Sequence, residues 1–183
     1  MYNQRRLIEL VKQHALKLGN FTLASGKQAN FYLDCRKLTL TGEGANLIAH
    51  GMLDHLGRDL PDAVGGMAIG ADPITAALVT VAYQQGKELR GFIVRKEAKA
   101  HGTGQEVEGP VRAGDRVVIV EDTVTTGGSS MRAVEKAQAF GLVVTSVLAV
   151  IDRCEGAAEF FRQNQLPFHA LLTIQDLGID QQA

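Results

Sequence analysis

Between residues 117 and 130, four apolar residues lead into two adjacent acids and then into a segment of hydroxyls and glycines. The apolar run from Val117 to Val120 predicts a buried strand, and Gly127 begins a pattern that predicts a helix. A helix start has free N–H groups and the positive end of a dipole, so it can bind a phosphate. The acids would repel a phosphate, but they can accept hydrogen bonds from sugar hydroxyls. We therefore expect the acids to bind a ribose and the following loop to bind its phosphate.

The candidate ligand contacts of this segment share an oxygen-bearing side chain or a backbone close to the helix start. They are Glu121, Asp122, Thr123, Val124, Thr125, Thr126, Gly127, Gly128 and Ser129. The alternative interpretation is an ordinary strand with an acidic end and a capped helix. A Walker A loop is excluded because no Gly-Lys-Ser/Thr follows, and a Rossmann fingerprint is excluded because no Gly-x-Gly-x-x-Gly occurs here.

Cations are concentrated in one polar, glycine-rich segment, which carries Arg95, Lys96, Lys99 and His101. Such a segment suits a polyanionic ligand, because cations can stabilise negative charge as it develops. The alternative is a solvated basic turn. The segment from 96 to 114 has no apolar pattern, and it is about as long as loops in compact domains become before they suggest a functional lid or disorder.

Three further residues could bind a planar ligand. Arg153 has a planar fork of donors that suits a carboxylate, although it could also be a surface arginine at a helix start. Phe31 and Tyr32 could stack on a ring. Because side chains alternate in a strand, these two aromatics should face opposite sides, with one of them in the core.

Strand and helix patterns alternate from residue 63 onward. Strands are predicted at 63–69, 91–94, 117–120, 143–151 and 168–172, and helices at 72–86, 127–140 and 156–164. Asp72 is expected to cap the first of these helices, with Pro73 in its first turn. Continuous apolar strands that alternate with helices predict an α/β fold with a mostly parallel twisted sheet flanked by helices.

The N-terminal part has a different spacing of apolar residues. Apolar residues from Leu7 to Leu18 recur at helical spacing, and Gly19 closes that pattern. An irregular stretch at 21–27 and a strand at 30–34 follow, and Thr41 is placed to cap a helix that ends near residue 56. We expect residues 1–183 to form one domain, with about 1–40 as a small N-terminal subdomain.

Composition limits the partners. The chain has 183 residues, 45% hydrophobic content and a net charge of −1, so no overall field draws it to nucleic acid or to an anionic membrane. No apolar run approaches the ~20 residues that a membrane span needs, and no signal peptide is predicted. Cys35 and Cys154 lack zinc-type spacing, which favours a cytoplasmic protein with free thiols.

The 117–130 segment resembles the motif with which type I phosphoribosyltransferases bind phosphoribosyl pyrophosphate (PRPP). Segments at 21–32, 95–102 and 152–153 are similar to the hood, the mobile catalytic loop and the base-contacting position of the orotate phosphoribosyltransferase branch. The resemblance extends from the first helix to about Leu177. It implies a phosphoribosyltransferase fold with an N-terminal hood, and transfer of ribose 5-phosphate from PRPP to orotate in pyrimidine biosynthesis.

The resemblance also assigns residues. Catalysis is expected of Lys99, Glu121 and Asp122. Binding of PRPP is expected of Arg95, Lys96, Lys99, His101 and the nine residues from Glu121 to Ser129. Contacts to orotate are expected of Thr125, Arg153, Phe31 and Tyr32. Magnesium is expected to be held mainly by PRPP and not by direct protein ligands. A homodimer is implied in which the 95–101 segment of one subunit reaches the 121–129 segment of the other.

The chain departs from the family pattern in two segments, at three residues. Some members carry a lysine where this chain has Ala24, and a Tyr-Lys pair where it has Ala71 and Asp72. We assign no ligand-binding side-chain role to these three residues. Two rival functions stay open at this point: a phosphoribosyltransferase for another base, and a non-catalytic nucleotide-sensing regulator on the same fold.

Overall fold

The computed structural model describes residues 1–22, 28–97 and 105–179. The strands are β1 (Leu16–Thr22), β2 (Gln28–Leu33), β3 (Ala63–Met67), β4 (Arg90–Val94), β5 (Val107–Glu108), β6 (Arg116–Val124), β7 (Val143–Asp152) and β8 (Phe168–Thr173). Six of them form one sheet in the order β5-β4-β3-β6-β7-β8. Its neighbouring strands are parallel except for the antiparallel pair of β4 and β5. The predicted α/β fold with a mostly parallel sheet is confirmed.

Helices cover both faces of this sheet. They are α1 (Gln4–Leu10, continued by a π-helical turn over Val11–Ala15), α2 (Arg36–Thr39), α3 (Gly42–Leu56), α4 (Asp72–Gln84), α5 (Gly128–Phe140) and α6 (Ala157–Gln163). Side chains alternate between the two faces of the sheet along β6, so this strand contributes to two apolar cores. Val118 and Val120 pack with α1, α3 and α4, whereas Val117 and Ile119 pack with α5 and α6. The strand is therefore buried on both faces, as its continuous apolar run predicted.

The N-terminal helix ends earlier than predicted. From Leu16 onward the chain forms β1, which pairs antiparallel with β2 in a separate two-stranded sheet. Leu18 was expected on the buried face of the helix, but it lies opposite Phe31 in the strand pair and is 74% exposed. Pairing with β2 takes precedence over the helical spacing here. That residues 1–40 act as a hood stays a prediction.

Local features differ from the predictions at three places. The segment from 96 to 114 contains β5, because Val107 packs into the core and pairs with Val94 of β4. The strand β6 continues through the two acids to Val124 instead of ending before them. Asp72 is not the cap of α4 but its first residue, since Ala71 stands at the N-cap and its carbonyl accepts a helical hydrogen bond from the Thr75 N–H. Thr41 does cap α3, with its side chain accepting from the Gly44 N–H.

The end of α3 contacts β8 through two stacked histidines, which gives the fold a pH dependence. The rings of His55 and His169 lie 3.8 Å apart and nearly parallel, beside a cavity that Asp54 and Asp176 also line. Burial lowers the pKa of both imidazoles below 6.5, and the charge on His55 lowers that of His169 further. At these two residues the unfolded chain therefore binds more protons than the folded chain just below pH 6.5, so protonation of the pair favours unfolding.

We expect the contribution of this histidine pair to the free energy of unfolding to decline as the pH is lowered from 7 through 6.5, whereas Glu121, whose pKa burial raises, contributes in the opposite direction. The His169→Gln variant should show a shallower decline, because one of the two stacked rings is gone. Chemical denaturation at several pH values measures the slope, and His14→Gln, which removes an exposed histidine, should retain the wild-type slope. A His169→Gln profile as steep as that of the wild type would contradict this interpretation.

Candidate active site

A cavity of about 250 Å³ lies at the carboxyl ends of β3 and β6, beside the end of β2. This is the edge of an open α/β sheet at which ligands bind. Its lining residues come from four separate parts of the chain. They are Tyr32, Leu33, Asp34, Cys35, Arg36, Ile69, Gly70, Lys96, Asp122 and Thr123. Four of the predicted site residues are thus brought to one cavity: Tyr32, Lys96, Asp122 and Thr123.

Glu121 is the more buried of the two adjacent acids, with a side chain held in place from α5. It is 6% exposed, and the Ser130 hydroxyl donates a hydrogen bond to its Oε2 over 3.0 Å. Burial, with the neighbouring charge of Asp122, raises the pKa of Glu121 to about 7, and the charge of Lys96 partly offsets the rise. The carboxyl group therefore changes its charge near neutral pH.

Asp122 faces the cavity and is partly buried. Its Oδ1 accepts a hydrogen bond from the Thr123 N–H over 2.8 Å, and burial raises its pKa. Gly70 is close to both acids: a Cβ at this position would lie 2.9 Å from Asp122 Oδ1 and 3.4 Å from Glu121 Oε1. The backbone of the turn after β3 therefore passes beside the acid pair, and a side chain at residue 70 would crowd it.

The hydroxyl and glycine segment forms the N-terminus of α5, as predicted. Thr125, Thr126, Gly128 and Ser129 are exposed there, so their hydroxyls and N–H groups can meet an anion. The side chain of Val124 is buried in the core, which leaves only its backbone for a ligand.

Gly127 serves the fold as well as the loop. Its φ is +89°, and a Cβ there would lie 2.8 Å from the Phe160 ring of α6. Only glycine adopts this backbone conformation at little cost. We predicted that Gly127 would let the backbone approach an anion, and its packing against α6 is an additional reason for the residue.

Arg153 follows β7 and is held by an aromatic ring and an acid. Its guanidinium carbon lies 4.5 Å from the centre of the Phe31 ring, and its Nε lies 2.7 Å from Glu155 Oε1 in an ion pair without hydrogen-bond alignment. The side chain is 11% exposed. Phe31 is the core member of the aromatic pair and Tyr32 lines the cavity, which confirms that they face opposite sides.

The cations of the 95–101 segment are described in part. Lys96 lines the cavity, whereas the guanidinium of Arg95 lies 2.9 Å from Glu108 Oε1. Lys99 and His101 lie outside the described residues, as does Ala24.

Three residues near the acids were not identified from the sequence. Cys35 accepts a hydrogen bond from the Thr123 hydroxyl over 3.1 Å, and burial raises the pKa of its thiol to about 12. The guanidinium of Arg36 lines the cavity and is paired with Asp34 at 2.9 Å. The third residue is Ser130, whose hydroxyl donates to Glu121 Oε2 as described above. The position of Ser130 on the first turn of α5 was the one sequence signal available, because the others belong to distant segments.

The donor set gives little support for a metal held by protein ligands alone. Within residues 1–22, 28–97 and 105–179, no group of three or more His, Cys, Asp or Glu side chains could hold a metal ion. Two adjacent carboxylates are available at the cavity, and Mg²⁺ usually binds through one or two carboxylates together with waters and substrate phosphates. The site therefore fits magnesium that arrives with a phosphorylated ligand. The same ranges contain no helix that is long and apolar enough to cross a membrane.

Comparisons with known proteins place this site in a family, although no model of a protein family matches the chain. The chain is 56% identical over 180 residues to an orotate phosphoribosyltransferase of Rhodopirellula baltica, which covers 95% of this chain and 93% of that protein. Its fold matches the crystal structure of Mycobacterium tuberculosis orotate phosphoribosyltransferase in complex with Fe(III) dicitrate, with a TM-score of 0.85, 38% identity and coverage of 96% and 99% of the two chains.

A second structure of the Mycobacterium tuberculosis enzyme, in complex with PRPP, matches with a TM-score of 0.81 and 34% identity over 96% of this chain and 99% of that one. The similarity in sequence and in fold spans nearly the whole chain. The chain belongs to the orotate phosphoribosyltransferase family.

Proposed function

We propose that this enzyme transfers the ribose 5-phosphate group from PRPP to orotate, forming orotidine 5′-phosphate and pyrophosphate in pyrimidine biosynthesis. The observation that carries the proposal is the sheet edge at which β6 and β7 end side by side. Val124 of β6 pairs with Asp152 of β7, so the acids and the phosphate-receptive helix start lie next to the strand that leads to Arg153. One edge thus offers contacts for a ribose phosphate and for a carboxylate-bearing base.

The proposed roles on PRPP follow from the chemistry of each group. Asp122 and Glu121 accept hydrogen bonds from the ribose hydroxyls, and the N–H groups and hydroxyls at the start of α5 bind the 5-phosphate. Pyrophosphate leaves from C1 of the ribose as positive charge builds on the ring, and a ring nitrogen of orotate forms the new bond to C1. Lys96 lies where a cation can stabilise the departing pyrophosphate, and Lys99 and His101 are assigned the same task.

Orotate is assigned to Arg153, Thr125 and the aromatic pair. A planar guanidinium can bind a carboxylate through two parallel hydrogen bonds, and the stack on Phe31 limits the orientations that Arg153 can adopt. Tyr32 lines the cavity and can cover the orotate ring. Phe31 then acts on orotate mainly through the arginine that it supports.

Magnesium is the proposed cofactor. It would neutralise charge on the departing pyrophosphate. Glu121 and Asp122 are the residues that would hold its waters. We also propose a cytoplasmic enzyme, which is supported by Cys35 and Cys154, since neither of them forms a disulfide.

Thermal protection by different bases tests the choice of substrate. With pyrophosphate and magnesium present, orotate should raise the melting temperature, because a ligand that binds only the folded state stabilises it. Adenine, hypoxanthine and uracil are the controls and should leave it nearly unchanged. Greater protection by one of these bases than by orotate would favour a phosphoribosyltransferase for that base.

A homodimer with shared active sites is also proposed, on the family resemblance and on the cationic 95–101 segment. In a two-fold dimer Lys99 and His101 of each subunit would reach the 121–129 segment of the other, whereas Lys96 lines the cavity of its own subunit. Lys99→Ala and Asp122→Ala should each nearly abolish activity when present alone. In a mixed dimer one site would keep both residues and the other would lose both, so with random pairing about a quarter of all sites should be active.

Co-expression of the two variants, followed by activity measurement, checks this expectation. Mixed dimers isolated with two different affinity tags provide the sample, in which half of all sites should be active, and each variant purified alone provides the baseline. If verified mixed dimers were no more active than the variants alone, each subunit would use its own loop.

A further inference from the structure

Lys136 of α5 contacts the backbone next to the cationic segment. Its ammonium donates hydrogen bonds of 2.8 Å to the carbonyl oxygens of both Arg95 and Lys96. It also forms an ion pair of 2.9 Å with Glu106 Oε1, and its side chain is only 19% exposed. An ammonium group has three donors, and these three contacts match them. Burial of a charged ammonium group costs free energy. We therefore expect these contacts of Lys136 to have a role in the protein.

These contacts join two sides of one structural unit. We call residues 95–97 and 105–108 the stem, because they are the described chain on either side of 98–104. The stem is held internally by the hydrogen bond from the Arg95 N–H to the Glu106 carbonyl over 2.8 Å. Lys136 contacts the outgoing side through two carbonyls and the returning side through Glu106. It thus fixes both sides to α5.

The two ends of this connection reach the site from different directions. The helix that carries Lys136 begins at Gly128, in the segment assigned to the phosphate of PRPP. The stem carries Lys96, which lines the cavity with Asp122. The distance between the phosphate-binding helix start and the cation of the stem therefore depends on how the stem is fastened to α5.

We propose that Lys136 is a positioning residue for PRPP: by holding the stem against α5, it keeps Lys96 at the cavity where pyrophosphate must bind. The proposal rests on the function proposed above, because it assigns a substrate to the cavity. Lys136 acts through Lys96 and does not itself touch the ligand. Removal of the Lys136 ammonium leaves the carbonyls of Arg95 and Lys96 and the carboxylate of Glu106 without the cation that they share. The Lys96 side chain then leaves its position at the cavity.

Kinetics of the Lys136→Met variant test the proposal, since methionine keeps the length and removes the donors. We expect the KM for PRPP to rise about 10-fold while the KM for orotate stays within about twofold, which is the size of effect that a coupling residue outside the ligand contacts exerts. Lys136→Arg retains a cation and donors and should recover most of the affinity for PRPP. Arg132→Met removes an exposed cation from the same helix and should behave like the wild type.

A general loss of structure would give a different pattern. It would lower the active fraction or affect both substrates alike, and Lys136→Arg would not restore PRPP binding selectively. Glu106→Gln keeps Lys136 but removes the charge of its ion-pair partner, so this variant replaces Lys136→Met if the latter does not fold. Glu106→Gln should raise the KM for PRPP about threefold. The proposal is overturned if Lys136→Met binds PRPP within about twofold of the wild type, if it weakens both substrates equally, or if Lys136→Arg is no better than Lys136→Met. If Lys136→Met does not fold, the proposal is overturned when Glu106→Gln leaves the KM for PRPP unchanged.

Calorimetric titration with PRPP and magnesium separates this proposal from the proposed function. PRPP binding requires no orotate, so the affinities of the wild type and the variants can be compared even if the base were different. A wild type that binds PRPP and leaves orotate unchanged would refute the proposed substrate, whereas the ratio of PRPP affinities would still decide the role of Lys136.

Discussion

The Asp122→Asn variant should lose about 100-fold in kcat/KM for PRPP and keep its KM for orotate nearly unchanged. Asp122 is the acid that faces the cavity, and its Oδ1 is already occupied by the Thr123 N–H at 2.8 Å. Asparagine has nearly the same shape as aspartate but lacks its negative charge. Its NH₂ group is a donor and cannot accept a hydrogen bond from a ribose hydroxyl. A hydrogen bond to a charged group contributes about 1.5–3 kcal/mol, and 2.7 kcal/mol corresponds to about 100-fold.

The expected loss is specific to the site edge of β6. Asp62 provides a matched control, since it accepts a hydrogen bond from the Arg116 N–H at the opposite end of the same strand. Asp62→Asn should therefore change the kinetic constants by less than about twofold. Glu121→Gln should have a smaller effect than Asp122→Asn at pH 7, because a carboxyl group with a pKa of about 7 carries its charge only part of the time. Steady-state kinetics with each substrate varied in turn decide the assignment, and Asp122→Asn with wild-type use of PRPP would refute it.

The second large effect is expected at Arg153. Arg153→Ala should lower kcat/KM for orotate by about 100-fold, because it removes a partly buried donor pair for the orotate carboxylate. The geometry supports a fixed guanidinium, which lies on the Phe31 ring and beside Glu155. Because the residue lies on the edge that receives the base, the KM for PRPP should change much less.

Two further variants make the Arg153 experiment specific. Arg162→Ala removes an exposed arginine that is paired with Glu159 on α6, and it should leave both KM values unchanged. Arg153→Lys keeps the charge but loses the planar fork, so it should recover only a small part of the activity. Unchanged kcat/KM for orotate in Arg153→Ala would mean that another group binds the orotate carboxylate.

The sheet and the phosphate segment were predictable because local patterns determine them. The continuous apolar run before Glu121 indicated a strand buried on both faces, and the glycines and hydroxyls after it indicated the start of α5. The opposite orientations of Phe31 and Tyr32 followed from strand alternation alone.

The errors and omissions arise where tertiary contacts decide. Leu18 fits a helical pattern, but pairing with β2 converts its segment into a strand. Val107 has polar neighbours in the sequence, yet with Glu108 it forms the short strand β5, which pairs with β4. Arg36 and Lys136 belong to other segments than residues 121 and 122, so no spacing in the sequence could connect them to the acids or the stem.

Consumption of orotate, followed by its absorbance in the presence of PRPP and magnesium, tests the central claim most directly. The account predicts that orotate disappears only when the enzyme, PRPP and magnesium are all present, that excess EDTA stops the reaction, and that orotidine 5′-phosphate with pyrophosphate runs it backwards. Asp122→Asn should show a much slower decline under the same conditions. No decline in orotate with folded wild-type protein, or an undiminished rate in excess EDTA, would contradict the account.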